Sequence, residues 1–267
     1  MKQRRAGNVA SLMMLLWLAV HLFAAFVLPK WADFLAVVAC TLPMLLVKPC
    51  VRGETYGTRD CNTVIYKKRE YTAFFVLVIA GSALLSAAVH IASGLDAVTA
   101  PRTDFPYLVV FACFLPAFFE EWLVRGGVLG AVAPHGGAGV WLCSVFFMLM
   151  HTDISKWPHA LFAGVLITGL VYVTECIYLG MLLHFLNNFT SLLLSYLQTP
   201  VSEYVALYVI AVLFIIALAV LWRSRLGKDV RALLVSVKRE DVRALLSPLC
   251  VVYIVSTIVL SLYKDIL

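Results

Sequence analysis

Charge is what this sequence has least of. Only 13% of its 267 residues are Asp, Glu, Lys or Arg, about half the share of an ordinary soluble domain. With 63% hydrophobic residues and a mean hydropathy of +0.94, the chain has too little polar surface to face water on all sides. It also lacks any long basic tract. The +6 formal charge sits in short blocks that flank apolar runs, which excludes a nucleic-acid partner and reads as attraction to anionic lipid. No Cys-x-x-Cys pair occurs among the seven cysteines. Cys40, Cys113, Cys143 and Cys176 lie in or beside apolar segments and read as small core residues. Cys50 and Cys61 share a loop expected in the cytosol, where no stable disulfide is expected.

No secretory leader is expected at the N-terminus either. Lys2, Arg4 and Arg5 precede an apolar run from Val9 to Leu28, but that run exceeds an h-region of about 7–15 residues and no small-residue cleavage site closes it. It reads as a retained span. What the chain does have is hydrophobic runs of membrane-crossing length, about 20 residues each. Windows near 9–28, 31–47, 71–93, 106–131, 138–157, 159–175, 177–197, 203–222 and 248–263 predict an all-α, polytopic transmembrane bundle of about eight or nine helices. The whole of 1–267 then forms a single transmembrane domain.

Basic residues orient this bundle. They cluster before the first span, between the second and third (Lys48 to Arg69), and after the eighth (Arg223 to Arg243). Threading nine spans from a cytosolic N-terminus puts all three clusters on the cytosolic side. Asp229-Val-Arg-Ala-Leu-Leu234 recurs as Asp241-Val-Arg-Ala-Leu-Leu246. The segment 223–247 is therefore expected to be a basic cytosolic or interfacial helix, with Leu226, Val230, Leu233, Leu234 and Val237 toward lipid.

Ionisable side chains within spans are costly and normally serve a function. Three groups break the apolar rule. In Phe118-Phe-Glu-Glu-Trp-Leu-Val-Arg125, Glu121 and Arg125 stand four apart in the favourable acid-before-base order. Glu120 points about 100° away, without a partner on its own helix. Phe146-Phe-Met-Leu-Met-His151 ends a second span, and His184-Phe-Leu-Asn-Asn188 puts an imidazole and a carboxamide on one face of a third. At ~1.5 Å per residue, Glu120, His151 and His184 fall some 10–18 Å below the cytosolic face, as expected of one site. His21, His90, His135 and His159 lack such company and read as packing, rim or loop residues.

Glu-Glu-x-x-x-Arg at 120–125, Phe-x-x-x-His at 147–151 and His-x-x-x-Asn at 184–188, in this order and inside apolar helices, resemble the type II CAAX prenyl endopeptidase family, also called the CPBP or Abi family of intramembrane proteases. The resemblance covers 105–195, the expected catalytic core helices. It implies an intramembrane endopeptidase acting on a membrane-associated peptide or protein in a cavity open to the cytosol. Glu120 would activate water. His151 and His184 would position that water and stabilise the tetrahedral intermediate, with Asn188 as oxyanion donor. Glu121 and Arg125 would support.

A glutamate mechanism without a cofactor is the reading adopted. Zinc held by Glu120, His151 and His184 is the alternative, although no His-Glu-x-x-His helix occurs. A proton-coupled transporter and a non-catalytic immunity protein would use the same buried groups. No repeat between the halves supports the transporter. The expected location is a multi-pass membrane position with a cytosolic N-terminus, in the plasma membrane if the source is prokaryotic.

Overall fold

The computed structural model describes residues 2–27, 35, 39–47, 56–57, 66–93, 105–196 and 200–266. Among them every regular element is helical. The first apolar run forms α1 (Lys2–Val27), and a short α2 (Thr41–Leu46) follows. Helix α3 (Lys68–Ser93) starts where Glu70 turns back to accept the Lys67 backbone N–H at 3.0 Å, which satisfies a donor that the helix start would otherwise orphan.

Helix α4 (105–132) is the unusual one. It contains two π-helical stretches, Val109–Phe114 and Trp122–Val128. The wider turn frees backbone carbonyls from the ordinary ladder, and such stretches are frequent at functional sites. One freed group, the Gly126 carbonyl, accepts the backbone N–H of Tyr56 at 3.2 Å. A 3₁₀ turn, Ala133–His135, then leads to Gly136 at φ +53°, and α5 (Gly136–Met150) doubles back along α4. The antiparallel return is fixed by the Cys143 thiol, which donates to the Val124 carbonyl at 3.3 Å.

Asp153 caps the turn Ile154–Lys156 by accepting the Ser155 N–H at 3.0 Å, and α6 (Trp157–Thr174) begins on Pro158. A left-handed residue, Glu175 at φ +51°, ends α6, and α7 (Ile177–Tyr196) returns. Then come α8 (Pro200–Arg223), α9 (Arg225–Val235), α10 (Arg239–Leu245) and α11 (Pro248–Ile266). The main packing partners are α3 with α8 and α6, α5 with α6, α1 with α11, and α7 with α4.

Six helical runs among the described residues are long and apolar enough to cross a membrane, or seven if α10 and residues Pro248–Tyr263 of α11, bent by 74°, count as one. The protein is an all-helical membrane bundle. The expected window 106–131 and most of 138–157 fall in one helical run, 105–150, which the turn at Gly136 folds in two. Residues 31–34 and 36–38 of the expected span 31–47 lie outside the described residues, as do Cys50 and Cys61.

Three expectations need correction. Leu226 and Val230 are buried in the bundle, at 0% and 3% exposure, rather than turned to lipid. The apolar face of α9 lies on α3, α5 and α6, because Gly137 and Gly169 remove the side chains that would hold it off. The segment is also two helices, α9 and α10, not one. Finally, Cys176 is not a free core cysteine. It is disulfide-bonded, whereas Cys40, Cys113, Cys143 and Cys250 are buried thiols.

A Cβ at Gly137 would collide with the Leu233 carbonyl, which is backbone and cannot rotate aside. Gly137→Val is therefore expected to cost about 1–3 kcal/mol, read as a lower unfolding temperature of the detergent-solubilised protein. An unchanged temperature would mean that α9 is not seated there.

Candidate active site

Glu121 sits at the centre of the bundle with 0% exposure, and Arg125, also at 0%, is its ion-pair partner at 2.6 Å. Burying two charges is tolerable only when their remaining hydrogen-bond needs are met. Arg125 meets its own by donating from Nε to the Thr168 hydroxyl at 3.2 Å and from Nη2 to the Gly164 carbonyl at 3.3 Å. Both acceptors belong to α6, so this one side chain ties α4 to α6. Its guanidinium also lies over the Phe147 ring, 4.3 Å from the centroid, a favourable cation–π arrangement.

The second partner of Glu121 is His184, whose Nδ1 is 2.9 Å from the same carboxylate oxygen, Oε1. A carboxylate only accepts, so Nδ1 carries the proton and Nε2 is left free for a ligand. The other carboxylate oxygen, Oε2, has no hydrogen-bond partner and rests against Gly180, where a Cβ would stand 3.0 Å away. Gly180 precedes His184 by one turn of α7, so the missing side chain lets α7 approach Glu121.

His151 is not inside a helix as expected. Helix α5 stops at Met150 and His151 caps it in extended backbone, φ −83° and ψ 97°. Its position is nevertheless held twice. Nδ1 donates to the Phe147 carbonyl at 3.1 Å, and the Trp157 indole donates to the His151 carbonyl at 2.7 Å. His151, like His184, therefore keeps Nε2 available.

Phe147 joins these parts. Its ring centroid is 5.1 Å from that of His151 and 5.4 Å from that of His184, edge to face with both. With Arg125 also against it, the phenylalanine of the second motif touches all three motifs.

A cavity of about 340 Å³ lies beside this cluster. His151, His184 and Asn188 line it together, so three of the residues expected to do chemistry meet in one space. Asn187, Lys156 and His159 line it as well. His159 was expected to be a packing, rim or loop residue, and the reason it lines the cavity is tertiary: α6 packs its first turn against the end of α5. Glu120 is half-buried and is not among the lining residues. His184, Glu121 and Arg125 are its ionisable neighbours, and it makes no hydrogen bond or ion pair among the described residues.

The cavity also corrects an expected geometry. Its walls run from Ile167 and His184 at mid-bundle toward Lys156, His159, Ser191 and Leu192. The basic segments gather at the opposite end, where Gly7 abuts Leu245, the Tyr66 hydroxyl donates to Asp229 at 2.9 Å and Gly57 accepts the Ile177 N–H at 3.1 Å. Basic clusters and cavity were expected to share one face, but they do not.

Zinc would require Glu120, His151 and His184 to converge. No group of three His, Cys, Asp or Glu side chains among the described residues stands close enough to hold a metal ion.

Thr168, Gly164 and Gly180 carried no signal in the sequence. Phe147 did, as the first residue of its motif, and its contacts supply the physical reason for the motif's spacing.

Removing Arg125 leaves Glu121 as a buried charge without its strongest partner. Arg125→Leu is expected to cost about 3–5 kcal/mol, seen as a large drop in unfolding temperature or in the yield of monodisperse protein. Wild-type stability in that variant would show that the pair contributes nothing.

No curated protein and no solved structure matches the chain significantly. Residues 101–190 match the family model described as type II CAAX prenyl endopeptidase Rce1-like. That stretch contains all three motifs and the whole of the buried cluster, and the match supports membership of the CAAX protease family for this membrane protein.

Proposed function

We propose that the protein is an intramembrane endopeptidase that hydrolyses a peptide bond of a membrane-associated protein or peptide, with Glu120 as the base. The observation that carries this reading is the division of labour between the two adjacent glutamates. Glu121 is committed to Arg125 and His184, while Glu120, beside His184, has no partner of its own. A carboxylate spent on a buried ion pair is a poor proton acceptor. One without a partner in a water-poor site is a good one.

In this mechanism the Nε2 atoms of His151 and His184 hold a water molecule. Its oxygen adds to the scissile carbonyl carbon as its proton passes to Glu120. The negative charge that develops on the carbonyl oxygen is met by the Asn188 amide. The proton on Glu120 then moves to the departing amine as the carbon–nitrogen bond breaks. No metal is needed for these steps.

Glu120→Gln is expected to abolish cleavage with no change in unfolding temperature, and Asn188→Ala to lower kcat by about 10²–10³-fold. Peptides accumulating in cells that carry Glu120→Gln instead of the wild type would identify the substrate. Cleavage that survives the substitution would remove Glu120 from the mechanism. Proton-linked solute uptake lost in the same variant, with no proteolysis by either form, would favour a transporter instead. Chelator-sensitive activity accompanied by stoichiometric zinc would overturn the metal-free version.

For topology we infer a cytosolic N-terminus. Lys2, Arg4, Arg5 and the basic residues of α9 and α10 belong to one end, and such clusters are retained in the cytosol. The cavity then faces the other side. The disulfide of Cys176 favours the reverse orientation, because it lies at the basic end and such bonds persist under oxidising conditions. Single cysteines placed at Lys238 and Lys156, on a background without other reactive thiols, are expected to react with an impermeant maleimide from opposite sides of the membrane. Position 238 should be protected in intact cells. Labelling of both from one side would contradict the geometry of the bundle.

A further inference from the structure

A second concavity, of about 870 Å³, lies between α3 and α8 at the basic end and shares no lining residue with the cavity of His151 and His184. Its walls are apolar (Val76, Leu213, Ile216, Val220), and two guanidinium groups, Arg69 and Arg223, stand at its mouth. Both arginines are exposed, and neither has an ion-pair partner among the described residues. The neighbouring carboxylates are already engaged. Glu70 accepts two backbone amides, Lys67 at 3.0 Å and Arg225 at 2.9 Å. Asp229 accepts the Tyr66 hydroxyl at 2.9 Å and lies 3.7 Å from Arg225 Nε.

The end of α8 is firmly held while these two cations are left open. Arg231 donates to the carbonyls of Leu221 at 3.3 Å and Trp222 at 2.7 Å, and stacks over the Trp222 ring at 4.7 Å. Trp222 itself is 64% exposed. A tryptophan and several arginines at the end of an apolar helix mark the depth of the lipid headgroups. The groove is therefore cationic at headgroup level and apolar below it.

We propose that an anionic glycerophospholipid occupies this groove, its phosphate between Arg69 and Arg223 and one acyl chain along α3 and α8. Charge complementarity selects the headgroup. A bidentate guanidinium–phosphate contact is strong, and two open arginines can form it from both sides. A groove of this volume lies within the range of small-molecule sites. The bound lipid would bridge α3 and α8, and through Glu70 and Arg225 it would bear on the seating of α9.

Native mass spectrometry of the delipidated full chain, with phosphatidylglycerol or phosphatidylcholine added, tests this. The wild type is expected to retain phosphatidylglycerol preferentially. R69Q/R223Q should lose that preference by roughly tenfold or more. K238Q/R239Q, an equal change of charge away from the groove, should keep it. Ile216→Trp fills the groove without touching a charge and should lower retention too, which gives a second reading if the double arginine variant folds poorly. Equal retention of the two lipids by the wild type would overturn the proposal. So would preference surviving in R69Q/R223Q, or loss as large in K238Q/R239Q. Displacement of phosphatidylglycerol by inorganic phosphate at equal concentration would reduce the site to a simple anion contact and overturn it as a lipid site.

Discussion

A buried ion pair with a histidine on the same carboxylate, in the middle of an apolar bundle, is the constraint around which the rest of this protein is arranged. Glu121 holds Arg125 at 2.6 Å and His184 at 2.9 Å with a single oxygen. Charges at that depth are stable only if every donor finds an acceptor, so neighbouring helices must deliver particular atoms to particular places. Helix α6 delivers the Thr168 hydroxyl and the Gly164 carbonyl. Helix α5 brings the face of Phe147, and α7 comes near enough only because residue 180 has no side chain. Four helices are thus aligned by one polar cluster, and the alignment leaves His151, His184 and Asn188 around a shared space.

The π-helical stretches of α4 belong to the same arrangement. A regular α-helix satisfies its own carbonyls. The wider turn over Trp122–Val128 leaves the Gly126 carbonyl to an outside donor, Tyr56. Tyr56 also reaches the Tyr172 carbonyl of α6 at 3.2 Å, and Gly57 beside it accepts from Ile177 of α7. The helix that bears both glutamates is therefore held from its basic end by a short piece of chain lying across α4, α6 and α7. Irregular backbone and buried charge stabilise each other, and both lie in the stretch that matches the Rce1-like family model.

Much of this was legible beforehand, for physical reasons that act locally. Hydropathy separates spans from loops because the bilayer penalises every unpaired polar group. Rare ionisable residues in such spans stand out against that background. The spacing of Glu121 and Arg125 announced their pairing, since four residues make one turn. Other features were hidden because they depend on distance in space. His159 gave no sign of lining the cavity, and the segment of α9 and α10 looked like one interfacial helix with Leu226 and Val230 toward lipid. An apolar face reads the same from sequence whether it meets lipid or protein. Only the small residues opposite it, Gly137 and Gly169, show which, and they lie on other helices.

The amino-acid sequence by itself determined membrane residence, the all-helical class and the three motifs, because each follows from composition or from spacing within one helix. Tertiary structure decided which glutamate is bound to His184, that Phe147 connects the motifs, and that cavity and basic clusters lie at opposite ends of the bundle. Those are relations between helices, and they are set by how α4, α5, α6 and α7 pack around a buried charge that cannot be left unpaired.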